Sequence, residues 1–496
     1  EDSVHAQGEA MTEFFRNHWS VAASGVLRTA PLAVLTPVMV MISFKGFSVG
    51  AAAAMAAAML LLSLAANVVI WRRTRFYFLD DEMVVERNAL FRSEKRIQYD
   101  RLASVNEERD PVCRLLGATR LSFNLNSSVN AAQAEATIVL KSDEARALRE
   151  RMDSRIFGKA PVVQEGFREG PASLVDVTFG DIVLHSMFGM PSLQAGFGAV
   201  MLAYSIVTFV VQGSPSLLAT LFFVLDFLIP ALSSFFRLYG YRITRSGDAV
   251  SVQSGFFSTK EDSFLLSKVN CVRMRESLLC RLMGRAILEV EVVGTADRKG
   301  VPLLCPLKPK EVATGLFHGL LPEFECSAEP MGQCRVSLVG ISLKAAAVVS
   351  AALVVSYIIY LQIDDGWAPI ALLAGIVMAA LCAAWAARAY RVRTFACDGD
   401  IAAVVTGAFD KVSDFILLDK IQFVDVRSSP VQRRKGAASC RINMLSTSGA
   451  ASVTSGVFPA EELERVSSTV LDRIKDGRYD FRRFQRSLLH NSGITG

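Results

Sequence analysis

The sequence is short of the residues that build metal sites and disulfide frameworks. Its five histidines are scattered singly along the chain, too dispersed to assemble a metal centre. Cysteine occurs nine times, at 113, 271, 280, 305, 326, 334, 382, 397 and 440. No two show CxxC spacing, so they read as small apolar side chains in a reducing compartment rather than as bridges or zinc ligands. Also missing are a GxSxG elbow, a phosphate-cradling glycine loop and an HExxH helix. A non-enzymatic protein without cofactor or metal is therefore expected. Net charge is scarce too: +5 over 496 residues carries no nucleic-acid signature.

Apolar residues are plentiful. They make up 51% of the chain and the mean hydropathy is +0.34, yet 20% of residues are charged. Membrane segments alternating with soluble domains reconcile these figures. Six apolar stretches come in three close pairs, at about 29–44 and 47–71, 188–211 and 216–236, and 345–363 and 367–387. Short connections make each pair a helical hairpin. Arg28 and Lys344 stand at span entries, where their stems would snorkel. The connecting turns hold Lys45, no charge, and Asp364 with Asp365, whereas the far ends carry Arg72, Arg73 and Arg75, then Arg237, Arg242 and Arg245, then Arg388, Arg391 and Arg393. The positive-inside rule places these basic ends, the long segments and both termini in the cytoplasm.

Between the hairpins a unit recurs. VCRLLG at 112–117 returns as LCRLMG at 279–284, and spacing reveals a third copy once Gly117, Gly284 and Gly436 are aligned. Twenty-nine residues before them stand Asn88, Gly255 and Gly407, residue types that tolerate positive φ and suit a tight turn. Twelve before them stand Val105, Val272 and Val424. After the glycine every second residue is apolar (Leu121, Phe123, Leu125; Leu288, Val290, Val292; Cys440, Ile442, Met444), the signature of a half-buried strand. A helical pattern closes each unit, opened by Ser142, Pro309 and Pro459. The repeat is three rounds of membrane hairpin plus soluble domain.

The stretches MVVERNALFRSEKRI, AVSVQSGFFSTKEDSF and AVVTGAFDKVSDFI, each joined to its RLLG-like segment, resemble the bacterial pleckstrin-homology-like (PH-like) membrane proteins of the YdbT type. VQRRKGAAS in the third copy departs furthest, and Asn88 stands where glycine is expected. The resemblance implies a multi-domain membrane protein with six transmembrane helices in three hairpins. Each hairpin is followed by an α+β PH-like domain, a seven-stranded, strongly bent antiparallel sheet or barrel capped by a C-terminal helix. The implied layout is an N-terminal segment and first hairpin over 1–74, domains at 75–158, 240–325 and 391–476, an interfacial helix and second hairpin over 172–239, a third hairpin over 335–390, and a basic aromatic tail at 477–496.

Candidate site residues follow from recurrence. Arg114, Arg281 and Arg433 share one offset, and Arg101, Lys268 and Lys420 share another. They would meet anionic phospholipid headgroups below the inner leaflet, or cap carbonyls in a repeated fold. Asp226 falls near the middle of the fourth span, where a carboxylate must face the bundle interior. It serves packing or assembly, or a coupled ion site, with Tyr204 and Thr208 as candidate partners. The tail GRYDFRRFQRSLLHNSG lies on a membrane surface, extends the last helix or is disordered. The expected protein is a bacterial inner-membrane scaffold or adaptor in envelope maintenance or stress response. Its expected partners are the lipid bilayer and other membrane proteins, including a smaller PH-like companion. The alternative is a transporter or flippase-like protein regulated by its domains.

Overall fold

The computed structural model describes residues 13–43, 48–79, 81–88, 92–99, 102–125, 136–156, 173–292, 302–362, 368–446 and 449–475. The turns holding Lys45 and Asp364, and the 477–496 tail, lie outside these residues. Among the described residues, six helices are long and apolar enough to cross a membrane. The chain divides into two compact units, one made of Glu1–Leu174 with Gly240–Phe264, the other of Val175–Tyr239 with Leu265–Val293 and the chain from Lys299 onward.

The first unit opens with β1 (Glu13–Arg16) and the hairpin α1 (Ser20–Ser43) and α2 (Val49–Arg72). Small and hydroxylated residues let these helices approach: Thr29 Oγ1 lies 2.6 Å from Ser63 Oγ, and Gly25 abuts the Asn67 side chain. Helix α1 starts well before residue 29 because its first turns pack on the soluble domain. Ser20 is fully buried there, and Val21 joins a cluster of Cys113, Ala118 and Val139. Arg28 lies within α1 rather than at its start, 3.5 Å from Asp110.

After the hairpin come β2 (Thr74–Phe78), β3 (Glu82–Asn88), β4 (Arg92–Gln98), β5 (Leu102–Arg109), the short helix α3 (Pro111–Leu115), β6 (Ala118–Leu125), β7 (Ala136–Lys141) and the closing helix α4 (Ser142–Ile156). Phe76, Met83 and Ile97 from the first three strands meet Leu121, Phe123 and Ile138 from the later ones, with Leu148 and Met152 of α4 completing the core. The strands do not form one continuous sheet. Strands β1–β4 make a four-stranded sheet, while β5–β7 continue into strands of the second domain, β8 (Arg242–Ser246), β9 (Ala249–Ser254) and β10 (Thr259–Leu265), in the order β7-β6-β5-β10-β9-β8.

The second unit begins with α5 (Phe179–Phe188). Its first hairpin is α6 (Ser192–Gln212) and a span built from α7 (Leu217–Phe223), a π-helical turn (Val224–Leu228) and α8 (Ile229–Leu238). It continues through β11 (Val269–Glu276), α9 (Leu278–Leu282), β12 (Arg285–Val292), β13 (Leu303–Pro309), α10 (Lys310–Leu320) and β14 (Met331–Gly332) to the last hairpin, α11 (Val336–Gln362) and α12 (Ala368–Val392). Lys344 lies inside α11 rather than at its entry. The third domain comprises β15 (Thr394–Asp398), β16 (Ile401–Gly407), β17 (Lys411–Leu417), β18 (Ile421–Arg427), α13 (Pro430–Arg433), β19 (Ala437–Ser446), β20 (Gly449–Pro459) and α14 (Ala460–Lys475). Its sheets run β13-β12-β11-β17-β16-β15-β14 and β18-β19-β20.

Residues before each hairpin pair with the sheet that follows it. Strand β1 pairs with β2 and β14 with β15, and Leu174 N donates to Ile243 O at 2.9 Å. The chain therefore leaves and re-enters each hairpin beside the same sheet. The aligned glycines explain the repeated RLLG-like stretch. All three are left-handed, with φ of 62° at Gly117, 64° at Gly284 and 59° at Gly436, a conformation that favours glycine. Each carbonyl accepts the first amide of the closing helix, from Ser142 at 3.0 Å, Lys310 at 2.9 Å and Ala460 at 2.9 Å. One landmark thus ends the short helix and seats the closing one.

Candidate functional site

Two junctions between neighbouring domains carry clusters of ion pairs. At the first, β5 pairs antiparallel with β10, Glu107 opposite Glu261. These like charges are bridged by Arg149 of α4, 3.0 Å from Glu107 and 2.9 Å from Glu261, which also donates to Ser263 at 3.1 Å. Burial would raise the Glu261 carboxyl, but Arg149 and Ser251 hold it below its ordinary value.

At the second, β11 pairs antiparallel with β17, Arg273 opposite Asp414. Arg273 Nε lies 2.6 Å from Asp414, and its terminal nitrogen lies 3.1 Å from Glu291. Asp414 and Glu291 are 3% and 2% exposed. Burial opposes the guanidinium charge, yet Asp414 and Glu291 keep its pKa above the ordinary arginine value. Glu276, also buried, takes Lys310 at 3.0 Å and Lys411 at 3.7 Å. Between β11, β17 and β20 an open cleft of about 360 Å³ is lined by Arg273, Arg275, Glu289, Asp414, Ser452 and Thr454 among others. Its walls are polar and its charges already satisfy one another.

Two of the three aligned arginines sit at these junctions. Arg114 donates to the Phe256 carbonyl at 3.0 Å and Arg281 to the Phe409 carbonyl at 3.4 Å. Both acceptors lie in the hairpin turn just after Gly255 and Gly407, so each arginine grips the next domain's turn. Asp410 of that same turn accepts from Ser192 N at 2.9 Å and Leu278 N at 3.2 Å, and from the Ser192 hydroxyl, tying the turn to the first residues of α9 and α6. Arg433 is exposed, and among the described residues its guanidinium makes no hydrogen bond or ion pair.

The second recurrent set is placed differently. Lys420 is buried at 3% exposure. Lys268 is only partly exposed, its pKa lowered first by burial and then by the Lys420 charge. These two lysines are brought together inside the second unit rather than displayed on a headgroup-facing surface. Arg101 lies outside the described residues.

Helix α5, within the segment read as an interfacial helix, packs on β13. A Thr178–Asp181 capping box starts it. Asp181 lies 2.9 Å from Arg285 and 2.6 Å from Lys308. Burial pushes this carboxyl up, but hydrogen bonds from Lys308, Thr178 and Arg285 carry it well below the usual range. His185 accepts from Leu307 N at 3.1 Å. Burial, then Arg237 and Arg275, lowers its pKa to about 3. The unfolded chain thus binds more protons than the folded one between its ordinary 6.5 and about 3. Stability is full above 6.5 and falls through that window, by up to roughly 1.4 kcal/mol per pH unit for this one proton. The thermal midpoint of the detergent-purified chain is expected to drop from pH 7 to pH 5. His185→Gln, which keeps an acceptor, should flatten the drop; an unchanged slope would assign it to other groups.

Asp226 sits in the π-helical turn, and one carboxylate oxygen is buried without a hydrogen-bond partner among the described residues. Gln194, not Tyr204 or Thr208, contacts this residue, donating to its backbone carbonyl at 2.6 Å. Thr208 instead receives Ser216 N at 2.9 Å, and Tyr204 is 53% exposed. The π turn frees a carbonyl that an α-helix would consume, and Gln194 satisfies it. Sequence reading missed Asp181, His185, Arg273, Asp410 and Asp414. The one legible signal was Asp414 within the apolar alternation of KVSDFIL.

Comparison with known proteins agrees with this repeat. A family model described as bacterial PH domain matches three times, over residues 31–156, 192–319 and 339–474. Each match starts within or at the start of a hairpin and ends in a closing helix. The UPF0699 transmembrane protein YdbT of Bacillus subtilis (strain 168) is 19% identical over 289 residues, covering 53% of this chain and 59% of that relative. No solved structure matches.

Proposed function

Because the chain belongs to the bacterial PH domain family, matched three times over most of its length, we propose that it is a non-enzymatic membrane scaffold whose PH-like domains bind through their strand edges. The observation that carries this reading is the pair of junctions: neighbouring domains join by β5–β10 and by β11–β17 pairing, so one domain's edge takes up the next domain's strand. In this reading the three hairpins cross the bacterial inner membrane, the basic ends hold the domains in the cytoplasm, and other membrane proteins, a smaller PH-like companion included, are the partners. Envelope maintenance or stress response is the setting proposed for it. Headgroup recognition is the weaker reading, since Arg114 and Arg281 hold turn carbonyls and Lys420 is buried.

The alternative, a transporter or flippase-like protein regulated by its domains, draws on Asp226 alone. Chemical crosslinking of the full chain in native membranes, with identification of the adducts, separates the two. A scaffold gives protein adducts, the same for the wild type and Asp226→Asn. Loss of the adducts in Asp226→Asn, or their absence in the wild type, would overturn the scaffold reading.

A further inference from the structure

The two internal junctions use one register. Counted back from the aligned glycine of each domain, Glu107 is ten residues before Gly117 and its partner Glu261 is 23 before Gly284. Met274 is ten before Gly284, and its partner Ser413 is 23 before Gly436. Each domain thus offers the first strand of its second sheet to the third post-hairpin strand of its successor. Among the described residues, nothing pairs along the outer edges of β18 and β4. Exposure agrees: β10 and β17 are half-buried, whereas β4 is exposed at every residue except Ile97.

The surfaces left open match what the internal junctions cover. Cys271, opposite Ile416, is fully buried in the core of the third domain. At its place in the last repeat stands Phe423, an aromatic 55% exposed. Arg433, the one aligned arginine without a described partner, sits where Arg114 and Arg281 grip the next turn. Carrying the register forward sets Phe423 opposite Ile97 and Asp425 opposite Lys95. The second is an opposite-charge pair at the position of Arg273 and Asp414, with the signs exchanged. Opposite charges across a strand pair favour that register and like charges oppose it.

We propose that the β18 edge of one copy of this chain pairs with the β4 edge of a second copy, extending the internal junction between molecules. This rests on the reading of the domains as edge-binding modules. Such a contact is heterologous, each copy using a different edge, so it propagates head to tail and closes only if the rotation per copy allows. The charges along β4 fit this role, because they discourage indiscriminate edge pairing while Lys95 suits Asp425.

The test uses two differently tagged full-length chains coexpressed in membranes, one carrying Asp425→Cys and the other Lys95→Cys, treated with a short bis-thiol reagent. The unmodified chain controls for native cysteines. A mixed-tag adduct well above that control is expected, together with a weaker one when Glu94→Cys, on the opposite face, replaces Lys95→Cys. In a parallel pair of chains bearing Arg427→Cys and Ser93→Cys, exposed positions that the same register sets opposite each other, Asp425→Lys should lower the mixed adduct roughly fivefold and Lys95→Asp on the partner should restore it. Both charge changes lie on exposed strand edges, so the chain should still fold. No mixed adduct, a yield indifferent to register, or no rescue would each overturn the proposal. Capture by Asp425→Cys of a smaller protein in place of the second copy would also overturn it, while leaving the scaffold reading standing.

Discussion

Arg273→Ala should destabilise the junction between the second and third domains by roughly 3–5 kcal/mol. The side chain is the cation between Asp414 at 2.6 Å and Glu291 at 3.1 Å, both almost fully buried. Removing it leaves two like charges close together in a low-dielectric site, at a cost larger than the net worth of the pair itself. Arg273→Lys should recover only part of the loss, since one ammonium cannot reproduce a planar donor that reaches both carboxylates. Thermal and denaturant unfolding of the detergent-purified chain would measure the loss, and faster proteolysis of the third domain should accompany it because β11 and β17 pair at that point. A cost below about 1 kcal/mol would put this pair among ordinary exposed bridges.

Gly407→Ala should be nearly as damaging, and for a different reason. At φ of 100° the backbone lies where L residues rarely go, and an added Cβ would fall 1.7 Å from the Asp410 carbonyl oxygen. The turn must open, and with it the Asp410 and Phe409 contacts to α9. A loss of about 3 kcal/mol or more follows from strain and overlap together. Gly436→Ala is the internal control: its φ is 59° but nothing lies within 4 Å of the new Cβ, so only the left-handed penalty of about 1–2 kcal/mol applies. Equal effects in denaturation would mean that space at Gly407 is not the constraint.

Much of this was legible in the linear pattern. The left-handed turns at Gly255 and Gly407, the alternating strands and the closing helices emerge because backbone sterics and period-two burial act over a few residues. The hairpins emerge because an apolar run of about 20 residues has few other uses. Helix starts were misplaced for a physical reason. Hydropathy sees only the apolar part of a helix, while α1 extends earlier to pack Val21 against Cys113. The recurrent arginines were visible as a set, but their acceptors were not. Phe256 and Phe409 offer main-chain carbonyls, and a carbonyl carries no residue-type signal.

By itself, then, the sequence determined the repeat, its elements and the family, since each rests on local periodicity and spacing that the chain carries in one dimension. Only the tertiary structure decided that each domain's sheet breaks after its third post-hairpin strand, and that in the first two domains the later strands continue into the next domain. Strand edges are made of backbone groups common to every residue, so which edge meets which is settled by the shapes and charges that long-range packing brings together.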